Sequence, residues 1–148
     1  MEIFVGADYR GFEKRQKILN FLAKSEYTVH DLGAYDNAEN DYNDPAIAVA
    51  KMVRRNRDAR GILMCGSAHG VTIQANRFKG IRAANCDTPE SAKLAREHDD
   101  ANVLCMSASL LDDEAMREII KTFLETKFID YERRVRRINR LDEREDYD

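Results

Sequence analysis

The chain has 148 residues, enough for one domain with a true core. Charged residues make up 34% of it, yet the net charge is only −3, so no global nucleic-acid footprint shows. No apolar stretch approaches the ~18 residues of a membrane helix, and the start, Met1-Glu2-Ile3-Phe4-Val5-Gly6, reads as a strand rather than a signal peptide.

Residues 2–7 form the first expected strand, ending at Gly6-Ala7-Asp8. A carboxylate there lies at the end where open α/β sheets bind ligands. After Gly11 the spacing of Phe12, Ile18, Leu19 and Leu22 predicts a helix to about Lys24. Tyr27 to Leu32 is the second strand, closed by Gly33, and the alternation around His30 marks that histidine as structural. Residues 34–44 form a polar loop, long for a compact domain, which favours a binding role. Pro45 opens the next helix with Asp44 as its cap. That helix carries Ala46, Val49, Ala50 and Val53 inward and ends in a solvated charge run, Arg54 to Asp58.

The third strand is the short apolar run Ile62-Leu63-Met64, bounded by Gly61 and Gly66, which reads as buried on both faces. It ends on Cys65. Ser67, Ala68 and His69 stand between Gly66 and Gly70, and Val71, Ala75 and Phe78 then follow at helical spacing. Such a strand, glycine loop and helix aim several backbone N–H groups at one spot and hold an anion or a developing oxyanion there. The known loops of this kind do not fit. No Gly-Lys-Ser or Gly-Lys-Thr ends the loop, no Cys-x-x-Cys occurs, a cysteine-phosphatase arginine is replaced by Val71, and Cys65 stands where Gly-x-Ser-x-Gly needs glycine. A tight turn with a buried, inert cysteine is the competing reading.

Gly80 to Cys86 is the fourth strand, and Thr88-Pro89-Glu90-Ser91 starts a helix that ends near His98. Asp99-Asp100 turns the chain into the fifth strand, 101–106. Asp112 caps an amphipathic helix with Ala115, Met116, Ile119, Ile120, Phe123 and Leu124 inward. A last helix over about 130–144 places Tyr131, Val135, Ile138 and Leu141 on one stripe. Arg133, Arg137, Arg140 and Arg144 fall on the far side and Arg134 at the edge, followed by a frayed acidic tail to Asp148.

Cys65, Cys86 and Cys105 make an odd count without framework spacing, which fits free thiols in a reducing cytoplasm. His30, His69 and His98 show no close pairing, so no metal is expected. The βαβα alternation predicts an α/β fold: a doubly wound, Rossmann-like, five-stranded parallel sheet in a three-layer αβα arrangement, with an extra C-terminal helix over 128–148 in a single domain of 1–148. The strand ends then gather Asp8, the 65–70 loop and the region of Asp87. His98 lies towards the opposite end and reaches the cleft only through the helix end or in a neighbouring subunit.

These motifs together resemble the ribose-5-phosphate isomerase B and galactose-6-phosphate isomerase group. They are Gly6-Ala7-Asp8 with Gly11-Phe12, Asp31-Leu32-Gly33, Asp41-Tyr42, Gly61 to Ser67, Ala75 to Ala83, and Arg96 to Leu104. The resemblance implies metal-free, cofactor-free isomerisation of a sugar phosphate between aldose and ketose. It implies Cys65 as the base, Ser67 in place of the usual threonine, backbone N–H groups of 66–70 around the enediolate, His98 in ring opening and Asp8 on sugar hydroxyls. Tyr9, Gly66, Ala68, His69 and Gly70 would meet the substrate, as would Asp99, Asn102, Arg134 and Arg137. A homodimer or homotetramer with shared sites follows, with no nucleic acid and no membrane. The sequence departs from the group at Tyr9, where it usually has histidine, at Asp130 and Tyr131, where phosphate ligands are usual, and at His69. Arg134 matches the second arginine and becomes the expected main phosphate ligand. Keeping Cys65 favours the ribose-type reaction. A hexose-phosphate isomerase (galactose 6-phosphate type) or other sugar isomerase, and a non-catalytic sugar-phosphate sensor or partner subunit, remain the alternatives.

Overall fold

Successive residues of a strand point to opposite faces, so a strand covered on both sides must be apolar at nearly every position. β1 (Glu2–Ala7), β3 (Arg60–Cys65) and β5 (Val103–Ser107) meet this condition, with every residue after the first position of β1 and β3, and all of β5, buried. The computed structural model, which describes residues 1–33 and 38–143, places these three at the centre of a five-stranded sheet. β2 (Thr28–Asp31) and β4 (Ala83–Asn85) form its edges, in the order β2-β1-β3-β5-β4. All pairs are parallel, as the alternation predicts.

The alternation splits the core in two. Ile3, Val5, Ile62, Met64, Leu104 and Met106 pack on one face against α1 (Phe12–Leu22), α4 (Pro89–Asp99) and α5 (Asp113–Glu125). Phe4, Leu63, Cys65, Val103 and Cys105 pack on the other against α2 (Asn43–Val53) and α3 (His69–Ala75). This is the expected doubly wound, three-layer fold. Two expected caps hold: Thr88 Oγ1 accepts the Ser91 N–H at 3.1 Å and Asp112 Oδ1 the Ala115 N–H at 2.8 Å. Each is worth about 1 kcal/mol. His30 is structural, its ring stacked on Phe4 at 4.7 Å and its Nε2 3.1 Å from Glu2.

Three expectations change. Asp44 does not cap α2: the helix already starts at Asn43, because the Tyr42 carbonyl accepts the Ala46 N–H, so Asp44 sits inside the first turn. β4 is three residues long rather than seven. Asn76 holds both the N–H and the carbonyl of Ala83, at 2.8 and 2.9 Å, and so covers an edge where a longer strand would lie open. The helix after the glycine loop starts at His69 and ends at Ala75, which leaves Phe78 in the following turn. A short 3-10 turn, Tyr9–Gly11, precedes α1. The last helix, α6 (Glu132–Asp142), buries no residue; Tyr131 remains 52% and Leu141 65% exposed. The expected loop section 34–37, Arg144 and the rest of the acidic tail lie outside the described residues.

Candidate active site

Where strand order reverses, between β1 and β3, the loops leaving the two strands diverge and open a cleft at their C-terminal ends. Asp8 and Cys65 flank this crossing. The Asp8 N–H donates to the Met64 carbonyl at 3.1 Å, which sets the carboxylate beside the end of β3. Asp8 is buried, and its Oδ1 accepts the N–H groups of Arg10 and Gly11 at 3.0 and 3.1 Å. Burial raises its pKa, while these two N–H donors pull the other way.

The glycine loop is pinned from the β5 side. The Cys65 carbonyl accepts the Ala108 N–H at 2.9 Å. The Gly66 carbonyl accepts the Ser109 N–H at 3.2 Å and the Ser107 hydroxyl at 2.6 Å. With these carbonyls turned back, the N–H groups of Gly66, Ser67, Ala68 and Gly70 find no acceptor among the described residues. Ala68 adopts the left-handed conformation, φ 71°, at a cost of roughly 1–2 kcal/mol for an L-residue. Its burial and the bonds its carbonyl accepts from the N–H and hydroxyl of Thr72 hold that turn in place. Gly70 allows Tyr42 to lie on the loop: a Cβ there would stand 2.7 Å from the ring. Asn40 ties the same polar segment to β1 by accepting the Tyr9 N–H at 2.7 Å.

The resulting cleft has a volume of about 520 Å³. Of the residues expected at a site, Asp8, Tyr9, Cys65, Gly66, Ser67 and Gly70 line it. Ala68 is buried beneath and His69 is exposed at the start of α3. Asp87 does not line it. His98 and Asp99 end α4, which runs back towards the other end of the sheet, and Arg134 and Arg137 lie on α6. Arg134 Nη1 donates to the Glu97 and Ile129 carbonyls at 3.2 and 3.3 Å, and its guanidinium lies over the Tyr131 ring. Asn102 uses its amide inside the fold, accepting the Arg82 N–H and donating to the Gly80 carbonyl, both at 2.8 Å.

Cys65 is 4% exposed and opens on the cleft; the other two thiols do not. Burial pushes Cys86 up to about 11 and Cys105 up to about 12, so both stay protonated at neutral pH. Sequence reasoning missed Arg10, Ser109 and Leu110, which also line the cleft. The rule that singled out Asp8, position at the C-terminal end of a strand, places all three near the cleft, but the role of Arg10 follows only from its contact with Gly66. Among the described residues, no three His, Cys, Asp or Glu side chains group as a metal ion would need, and no helix is long and apolar enough to cross a membrane.

The Ribose/Galactose Isomerase family matches residues 3–141 of the chain. A probable ribose-5-phosphate isomerase B of Mycoplasma genitalium is 39% identical over 141 residues, 94% of this chain and 92% of that one. Among solved structures, a ribose 5-phosphate isomerase from Thermotoga maritima superimposes with a TM-score of 0.92 at 40% identity, covering 97% of this chain and 98% of that one. The Mycoplasma genitalium ribose-5-phosphate isomerase B with bound ribulose-5-phosphate does so with a TM-score of 0.91 at 38% identity, covering 95% and 93%.

Proposed function

The chain belongs to the ribose/galactose isomerase family, and from that premise we propose that this aldose–ketose isomerase converts ribose 5-phosphate to ribulose 5-phosphate with Cys65 as its base. One arrangement carries the proposal. A cysteine at the end of β3 opens on the cleft where Asp8 stands, and the N–H groups of Gly66, Ser67, Ala68 and Gly70 in the loop after it have no acceptor among the described residues. Relatives named for the ribose reaction, one of them holding ribulose-5-phosphate, support the choice of sugar.

In the proposed reaction the Cys65 thiolate removes the C2 proton of the open-chain aldose. The C–H electron pair forms the C1–C2 double bond, and the C1 carbonyl pair moves onto oxygen. The loop N–H groups stabilise the enediolate, a charge present only along the reaction path. Ser67 assists the proton shift between the two oxygens. The thiol returns its proton to C1, leaving a carbonyl at C2. Asp8 and Tyr9 hold sugar hydroxyls. No step calls for a metal or a cofactor, and the enzyme works in the cytoplasm.

The site is completed by a second copy of the chain, which brings His98 to open the furanose ring, with Asp99, Arg134 and Arg137 on the substrate's far end. Two features support a homodimer or larger. Leu110, 79% exposed, and Ile73, 60% exposed, are bare apolar side chains on elements beside the cleft, and no residue of the α6 stripe is fully buried within its own chain. Direct assay of ribose 5-phosphate should give turnover, whereas a preference for galactose 6-phosphate would move the assignment to the hexose reaction. Failure with every pentose and hexose phosphate would leave the non-catalytic reading. Mixing Cys65→Ala with His98→Ala subunits should restore activity, because each hybrid dimer then contains one intact site; a mixture as inactive as its parts would sink the shared site.

A further inference from the structure

The cleft mixes one cation with three carboxylates. Among the described residues that line it, Arg10 is the only cationic side chain, facing Asp8, Glu39 and Asp41. Its position is built rather than incidental. Asp8 holds the N–H groups of Arg10 and Gly11 and so fixes the 3-10 turn after β1. The Tyr9 hydroxyl accepts Arg10 Nε at 3.2 Å. The side chain then crosses the first residue of the glycine loop: a Cβ on Gly66 would meet Arg10 Cδ at 3.1 Å and Nη1 at 3.2 Å. Glycine at 66 is thus what lets a guanidinium lie over the oxyanion loop, beside Cys65.

Resting on the isomerase reading above, we propose that Arg10 is a catalytic residue whose guanidinium contacts the enediolate oxygens beside the loop N–H groups. Two arguments favour the reacting end over the phosphate. The guanidinium lies over Gly66, the residue next to the proposed base, whereas the phosphate of an open-chain pentose sits three carbons beyond C2. Glu39 and Asp41 share the cleft wall, and like charge disfavours a phosphate dianion there. Its pKa is raised, first by the hydrogen bond with Tyr9 and, less, by the Asp8 carboxylate. A fixed cation that meets charge only as it develops lowers the barrier without tightening ground-state binding.

The test compares wild type with Arg10→Ala and Arg10→Lys, as the full-length oligomer. Steady-state kinetics on ribose 5-phosphate should show Arg10→Ala losing about 10²-fold in kcat with KM changed less than about threefold, and Arg10→Lys recovering part of the loss. Calorimetric binding supplies a readout apart from turnover. A four-carbon hydroxamate with a terminal phosphate, a planar mimic of the enediolate, should bind Arg10→Ala at least tenfold more weakly. The matching tetritol phosphate, which keeps the phosphate and lacks the mimic, should bind both proteins alike. Equal loss for both ligands, with a raised KM and unchanged kcat, would make Arg10 a phosphate ligand and overturn the assignment, as would no change in either. A wild type that turns over no sugar phosphate and binds neither ligand defeats the isomerase reading itself, and this assignment with it.

Discussion

The two ends of the sheet use polar residues in opposite ways. At the N-terminal strand ends, Arg96 is 3% exposed and donates to the Thr126 and Ala101 carbonyls and to Asp100. Arg82 donates to both the carbonyl and the carboxylate of Asp100, and Asn102 closes the Gly80–Arg82 turn. Hydrogen-bonding capacity there is consumed by the fold. At the C-terminal ends, carbonyls are satisfied while loop N–H groups, Cys65, Ser67 and Arg10 are turned on a cleft. Buried polar groups that pair with one another contribute stability and specificity. Polar groups held in place while still open on a cleft are left for a ligand. The three cysteines repeat the contrast: Cys105 lies one strand away from β3, opposite Leu63, and is sealed in the core.

This contrast breaks most visibly at the thiols. Cys65→Ala should cost about 10²–10⁴-fold in turnover, the range of a positioned proton-transfer group, with the fold unchanged. Cys86→Ala and Cys105→Ala should keep most activity and lose only stability. Iodoacetamide should modify one site, and a product analogue should protect it. Modification spread over three cysteines would erase the distinction between the ends.

The second test concerns Arg134, which lies with the saturated end in its own chain but is assigned to a partner's substrate. A charge-assisted contact is worth about 1.5–3 kcal/mol, so Arg134→Ala should raise KM by tenfold or more. If Arg137→Ala does this and Arg134→Ala does not, the helix phase assigned to the contact is wrong. Asn102 gives a third, smaller test. Asn102→Ala strands a buried N–H and should destabilise by about 1–3 kcal/mol, measured by urea unfolding, with kcat per folded molecule preserved. A loss of kcat/KM at full stability would instead make it a substrate ligand.

The smallest effect is a surface one. Asp113, in the first turn of α5, accepts from Lys14 and Lys17 of α1 at 2.7 and 2.8 Å. Hydrogen bonds from these lysines lower its pKa to about 2. A depressed carboxylate pKa adds stability that is present above the ordinary value of 3.8 and lost as pH falls through about 2. Wild type should therefore be slightly more stable than Asp113→Asn at pH 7, with the gap closing between about pH 4 and 2. A gap independent of pH would show that the bridge contributes nothing.

Most of the fold was legible because it follows from local pattern. β1, β3 and β5 announce themselves as unbroken apolar runs, and Thr88 and Asp112 mark helix starts by chemistry that acts within three residues. β4 was overdrawn because its end is set by Asn76, a tertiary contact that no window of the sequence displays. The site was half legible. Cys65 and its glycine loop stand together in the chain, so their spacing speaks directly. Arg10 was passed over because its meaning depends on crossing Gly66, more than fifty residues on. The left-handed turn at Ala68 was equally hidden, since alanine carries no signal for positive φ. The proposed meeting of His98 and Arg134 with Cys65 across a second copy leaves no pattern in one chain's sequence.

The claim that joins these observations is that Cys65 moves a proton between C2 and C1. It is tested most directly by incubating ribose 5-phosphate with the enzyme in deuterium oxide and following carbon-bound deuterium by NMR. The account predicts that in wild type the Cys65 thiol formed on removing the C2 proton exchanges with solvent while the enediolate is bound, which places deuterium at C1 of the ribulose 5-phosphate and at C2 of the recovered ribose 5-phosphate, and that folded Cys65→Ala places it at neither. Deuterium appearing at wild-type rate with Cys65→Ala would contradict it and move the base to Asp8 or His69.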